Sequence, residues 1–213
     1  MRITTVFAVA TVIAAAVAAP ILAREPDVLA LVRRNYSGTQ AVNATFDHSI
    51  YWSVREREEK RSGEMTIAPG DRFRVTIGRE SFVSDGTTYW QYNERNSQVI
   101  VRNFSDIDPA TLPSRLLTTV LMNRAFTEKS RSGGTVELVW DGNGQDIGGD
   151  GYTAITAVID IQSGIIKTLR LVDKNENIHT YTFKRTTFDR LPRNENFRFT
   201  VPRGVEVLDM RGG

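Results

Sequence analysis

The chain has 213 residues, 40% hydrophobic and 24% charged, with 27 basic against 25 acidic side chains and a formal net charge of +2. That size and balance describe one globular domain able to bury a core, and Lys and Arg are scattered without the block a nucleic-acid surface would need. Cysteine is absent from the sequence, which excludes disulfides, thiolate metal sites and lipid attachment through a cysteine.

Arg2 precedes an apolar, alanine-rich run from Val6 to Ala19, and Pro20 to Ala23 leads into Arg24-Glu25. A basic start, an apolar centre and a small residue before a polar stretch describe a secretory signal peptide over residues 1–23, shorter than the roughly 20 apolar residues of a membrane span. Cleavage after Ala23 leaves residues 24–213 as a single domain, expected to be soluble and exported. Val28, Leu31, Val32 and Tyr36 fall on one face of a short amphipathic helix that ends before Ser37-Gly38.

From Val42 the period changes to two, with Ala44, Phe46, His48, Ile50, Trp52 and Val54 on one side of a long strand. A dozen residues of strand reach about 40 Å, a length that belongs to a large curved sheet. The charged run Arg55–Arg61 reads as a solvated hairpin end. Beyond Gly63, Met65 and Ile67, then Phe73, Val75 and Ile77, then Trp90 and Tyr92, then Val99 and Val101 each repeat at spacing two, separated by short clusters of turn formers. Asp85-Gly86 is expected to supply the positive φ angles of a two-residue hairpin. An antiparallel meander follows.

Asp108-Pro109 opens a second helix, in which Leu116, Leu117, Val120, Leu121 and Met122 make a broad apolar face that needs something to lie on. Strand patterns resume over 136–140, 152–160, 164–172 and 178–183. The Asp- and Gly-rich stretches at 141–144 and 148–151 read as turn chemistry, because they lack the closing Glu of a calcium loop. Phe46, Ile50, Met65, Ile67, Phe73, Val75 and Trp90 share parity within their own strands. They are therefore expected to line one sheet face, covered by Leu116, Leu117, Val120 and Leu121.

Catalytic chemistry finds little support in the sequence. His48 and His179 sit inside strand patterns and read as structural, and Asp106 and Asp108 precede a helix and read as capping residues. The chain has no G-x-S-x-G, no H-E-x-x-H and no glycine-rich phosphate loop. No catalytic residue, metal site or cofactor is expected. A hydrolase would require His48 or His179 to lie beside a Ser or a carboxylate in a cleft.

Ser84-Asp85-Gly86, then Trp90 and Tyr92, then Gln98, together with Phe197-x-Phe199 and Pro202-x-Gly204-Val205-x-Val207, resemble the signatures of the periplasmic lipoprotein carrier family LolA. Gly63–Ile67, Pro69 and Phe73-Arg74 are similar to the strand-turn-strand just upstream in that family. The resemblance implies a mainly β fold with a few helices: a strongly curved antiparallel sheet, an unclosed β-barrel, with a helical lid over an apolar cavity. It further implies a periplasmic chaperone, not an enzyme, that binds the acyl chains of lipoproteins and carries them from the inner to the outer membrane. Its partners would be acylated lipoproteins, a LolCDE-type release complex and an outer-membrane acceptor such as LolB, with no nucleic acid. The alternative is a LolA-like lipid or lipoprotein sensor that captures without delivering. The family commonly places an Arg before the Pro that precedes the Phe strand, where it helps latch the lid. Here Ala68 precedes Pro69, and Arg72 or Arg74 would have to substitute.

Overall fold

Alternation in the long strand is realised in β1 (Ala41–Trp52), where Val42, Ala44, Phe46 and Ile50 are buried and Asn43, Thr45 and Asp47 face the other way. The computed structural model describes residues 27–108, 124–145, 151–189 and 197–212. The expected signal peptide, the helix around Leu116–Met122 and residues 146–150 lie outside them.

β1 runs antiparallel to β2 (Arg57–Ala68), which opens a meander through β3 (Arg72–Ile77), β4 (Glu80–Asp85), β5 (Thr88–Asn93) and β6 (Gln98–Asn103). A second meander comprises β7 (Thr127–Ser132), β8 (Thr135–Asp141), β9 (Tyr152–Asp160), β10 (Ile166–Asp173) and β11 (Ile178–Asp189). β11 returns to pair with β1, so the two meanders fuse into one twelve-stranded sheet. A short β12 (Glu206–Asp209) adds to the far edge, parallel to β6. The sheet is therefore mixed.

The helix α1 (Asp27–Ser37) lies on the face that carries Phe46, and buries Val28, Leu29, Val32 and Tyr36. Leu29 is fully buried whereas Leu31 is half-buried, so the contacting face is turned towards Leu29 relative to the sequence expectation. Two polar anchors fix it over β10: the Asn35 amide donates to the Ser163 carbonyl at 2.7 Å, and the Ile166 N–H donates to the Tyr36 hydroxyl at 3.3 Å. The Tyr36 ring meets Phe188 edge-on at 5.0 Å. Burial holds the Tyr36 hydroxyl up at about 12, so it stays neutral.

Three expectations are corrected. The sheet is open and not strongly curled, where the resemblance implies a strongly curved unclosed barrel. Bulges help a sheet to bend; they interrupt ladders in the β7–β11 half and between β1 and β11, but the ladders from β1 through β6 run without a register shift, so that half has none to curl it. Next, of the run Arg55–Arg61, Arg55 and Glu56 do lie in the exposed turn of the hairpin, but Arg57–Arg61 form the first half of β2, paired with β1 as far as Trp52↔Arg57. β3 reaches only to Gly63↔Ile77, so this half of β2 is a stepped edge, and alternating charges such as Arg61, bonded to Glu80 at 2.9 Å, suit an edge that must not recruit another strand. Last, the turn after β4 has positive φ at Gly86 alone; Asp85 acts instead through its carboxylate, which accepts the Thr87 and Thr88 N–H groups at 2.9 and 2.8 Å. A Cβ on Gly86 would come within 2.4 Å of the Gly70 carbonyl oxygen, so two hairpin tips pack against each other there.

The opposite face is covered at one end by the C-terminal segment. Phe197 is fully buried under the Arg72 guanidinium, 5.6 Å from its ring centre, Phe199 meets Tyr92 at 5.3 Å, and Arg74 donates to the Arg198 carbonyl at 2.8 Å. Val83, Val99 and Val101 are buried on that side as well.

Phe46 is tied to Gly63 directly across the β1–β2 ladder, and a Cβ on Gly63 would come within 2.6 Å of both the Phe46 ring and the Thr76 carbonyl oxygen. Gly63→Ala is expected to lower stability by about 1–3 kcal/mol through this overpacking, and Phe197→Ala by about 3–5 kcal/mol through the void it leaves. Urea unfolding measures both, and a Gly63→Ala protein as stable as wild type would show that this contact does not constrain the ladder.

Candidate functional site: the apolar face of the sheet

Register carries one face across the sheet. Ile67 and Phe73 pair, as do Met65 and Val75, while Ala44 pairs with Met65 and Phe46 with Phe183 across the two sides of β1. From β11 the same face continues through Tyr181 and Leu169 to Ala157 and Leu138. With α1, Ile107 and Phe126 these residues form one apolar cluster, with Phe82, Phe104 and Trp140 at its margins. Aromatic rings join its parts, Phe46 lying 5.7 Å from Tyr181 and Phe73 lying 6.3 Å from Tyr89.

Of the residues expected to line this face, Phe46, Ile50, Met65, Ile67, Phe73 and Val75 are brought to it and buried. Trp90 is not. Phe73 pairs with Ser84 and Ser84 with Tyr89, so Tyr89 points to the apolar face and Trp90, paired with Val83 and Val101, points away. Parity within one strand does not carry to the next without the register of β4, which alternation alone does not single out. Leu116, Leu117, Val120 and Leu121 lie outside the described residues.

The face is polar at one end. His48 and His179 are half-buried neighbours with nearly parallel ring planes, centroids 5.6 Å apart, and His48 Nε2 facing His179 Nδ1 at 3.4 Å. The other nitrogen of His179 lies 3.6 Å from the Asp173 carboxylate. That carboxylate is held in turn by the Asn175 and Asn177 N–H groups and the Asn177 amide, at 2.8 to 2.9 Å. His48 also stacks on Tyr181 at 4.3 Å. Each histidine by itself reads as structural in the sequence; only the β1–β11 register shows that they meet. His179 thus lies beside a carboxylate, the contact that a hydrolase reading asks for, while His48 has the other ring as its partner and not a serine.

Arg72 and Arg74, the two candidates to replace the family's arginine before Pro69, both point to the opposite face. Arg72 donates to the Pro69 carbonyl at 2.9 Å and covers Phe197, and Arg74 bonds Arg198. Their geometry serves the C-terminal segment. A cleft of about 320 Å³ between Asn43, Thr66, Arg74 and Arg185 also lies on that face. Among the described residues no helix is long and apolar enough to cross a membrane, and no cluster of three or more His, Cys, Asp or Glu could hold a metal.

Residues 37–200 match the family model described as outer membrane lipoprotein carrier protein LolA. The chain belongs to the LolA family. It is similar to the outer-membrane lipoprotein carrier protein of Vibrio campbellii, 26% identical over 182 residues that cover 79% of each chain. The carrier protein of that name from Alkalilimnicola ehrlichii is 26% identical over 200 residues, covering 91% of this chain and 89% of the other. An uncharacterized conserved protein from Thermus thermophilus shares the fold, with a TM-score of 0.54 at 14% identity over 86% of this chain and 97% of the other.

Burial, then His179, then Arg61 push His48 down from 6.5 to about 4, and burial outweighs Asp173 to lower His179 as well. Among the described residues, the charged and titratable groups facing the pair are Arg61 on β2, Asp173 at the end of β10, Tyr181 on β11 and Tyr152 on β9. Both rings bind protons less readily in the folded protein, so stability falls on acidification below pH 6.5, and the share carried by His48 is lost as the pH falls towards about 4. His48→Phe, which keeps the stacking on Tyr181, is expected to remove roughly 1–2 kcal/mol of that acid-induced loss, after allowance for screening at a half-open position. Parallel stability-versus-pH curves for variant and wild type would contradict this account.

Proposed function

We propose that this protein is a periplasmic carrier that shields the acyl chains of lipoproteins against the apolar face of its sheet and hands them from the inner to the outer membrane. The observation that carries the reading is the continuity of that face, from Leu138 through Phe46 to Phe73 and Tyr89, in a member of the LolA family. Water makes such a carrier necessary. Three acyl chains of on the order of 45 methylenes would cost roughly 35 kcal/mol to expose, at about 0.8 kcal/mol for each CH₂. An apolar surface removes most of that cost, and exchange between membrane and protein is then nearly neutral, so the carrier needs no cofactor and no covalent step.

The face is closed in this structure: Phe46 is 1% exposed and Val75 is fully buried. Loading therefore requires its cover to move, and α1 is part of that cover. Bound chains replace apolar contacts with apolar contacts, which keeps the two states close in free energy. A LolCDE-type complex in the inner membrane would load the carrier and an acceptor such as LolB would relieve it, with the expected signal peptide over residues 1–23 delivering the chain to the periplasm.

Purified protein incubated with an acylated lipoprotein and acceptor membranes is expected to transfer its cargo. Capture without release would identify a sensor instead. Mass spectrometry of an organic extract is expected to find acyl material bound to protein from a cell envelope. Phe82→Gln, at the half-buried margin of the face, is expected to weaken binding of a fluorescent fatty acid several-fold while circular dichroism stays unchanged. A wild-type protein that binds no fatty acid would overturn the carrier reading.

A further inference from the structure

We propose that the Asp173–His179–His48 chain is the recognition end of the acyl site, and that it selects ligands carrying an N–H or O–H donor beside the acyl chain, above all an N-acyl amide. This inference rests on the proposed acyl-binding role of the face.

The protons can be placed along the chain one after another. Asp173 Oδ1 already accepts two backbone N–H groups, and Oδ2 accepts the Asn177 amide and faces His179 Nε2. A carboxylate accepts, so the proton of a neutral His179 sits on Nε2. Its Nδ1 is then a bare acceptor, and the hydrogen bond that satisfies it across the 3.4 Å gap is one donated by His48 Nε2–H. This fixes the second tautomer too. His48 Nδ1 is left as a bare acceptor; it has no hydrogen-bond partner among the described residues, nor is it among the buried polar atoms cut off from solvent. Because burial holds the His48 pKa at about 4, the ring is neutral at pH 7 and the chain keeps this polarity.

His48 lies on the same face as Phe46 and Ile50, one register step from each along β1, and rests on Tyr181, a member of the apolar cluster. A ligand whose chain runs over Phe46 would thus bring its head to an uncharged acceptor. An amide N–H or a hydroxyl satisfies that acceptor, while an alkyl ester, which has no donor, leaves it unpaired and partly desolvated.

The test compares decanamide with methyl decanoate, which have the same acyl chain, as competitors for a bound fluorescent fatty acid at pH 7.5. Wild type is expected to prefer the amide by roughly threefold to tenfold, the span of one net hydrogen bond. His48→Phe keeps the stacked ring and is expected to abolish the preference, read as the ratio of amide to ester affinity within each protein. Equal affinities in wild type, or a preference that survives His48→Phe, would overturn the proposal while leaving the carrier reading intact; failure of wild type to bind either compound or the fatty acid would instead sink the carrier reading. Should His48→Phe not fold, imidazole ¹⁵N shifts of wild type decide the matter. Protonated Nε2 on both rings, with His48 Nδ1 shifting on addition of decanamide but not of methyl decanoate, is expected; any other tautomer, or the same shift with both, overturns it.

Discussion

Everything in this molecule depends on the pairing of β1 with β11. Each meander could form from neighbouring hairpins, but neither would present more than a fragment of apolar surface. The ladder from Ala41↔Asp189 to Tyr51↔Ile178 joins them, and with it Phe46 comes to lie against Phe183 and Tyr181 from the last strand of the second meander. The closure of so long a loop is entropically costly. It is offset by the length of the ladder and by the aromatic burial that the ladder brings about.

The same pairing creates the polar end of the face. His48 and His179 belong to different meanders' sides of the sheet, and a shift of one residue in the ladder would send one of them to the opposite face. The bulge between Thr45 and Phe46 sits a short distance away, and the register beyond it is what sets Tyr181 opposite His48 and His179 opposite Ile50. Asn177, whose side-chain oxygen accepts the Ser53 N–H at 3.1 Å while its amide holds Asp173, ties the end of β1 to the β10–β11 turn. A structural register and a chemically organised acceptor are thus one feature.

The two faces of the sheet also divide the work. One is covered by α1, Ile107 and Phe126, the other, at the β3–β6 end, by the segment holding Phe197 and Phe199. Arg72 and Arg74, the candidates to stand in for the family's arginine before Pro69, hold the C-terminal segment instead. Movement of the cover on one face therefore need not disturb the strap on the other.

Alternation of period two is a local property, written in the backbone geometry of a strand, and so the strands at Met65–Ile67, Phe73–Ile77 and Val99–Val101, and the helix ending at Ser37, were legible from the residues alone. The family was legible from short motifs such as Ser84-Asp85-Gly86, whose side-chain and backbone contacts form a turn within a few residues. Local chemistry does not fix which face an apolar residue will occupy when both faces are covered. Trp90, Val99 and Val101 alternate as faithfully as Phe73 and Val75, and only the ladders through β4 and the burial of Phe197 assign them to the far side. The same holds for the shape of the sheet and for the histidine pair. Curvature depends on where bulges interrupt the ladders, and the meeting of His48 with His179 on the register between two strands far apart in the sequence, so both were decided by tertiary structure.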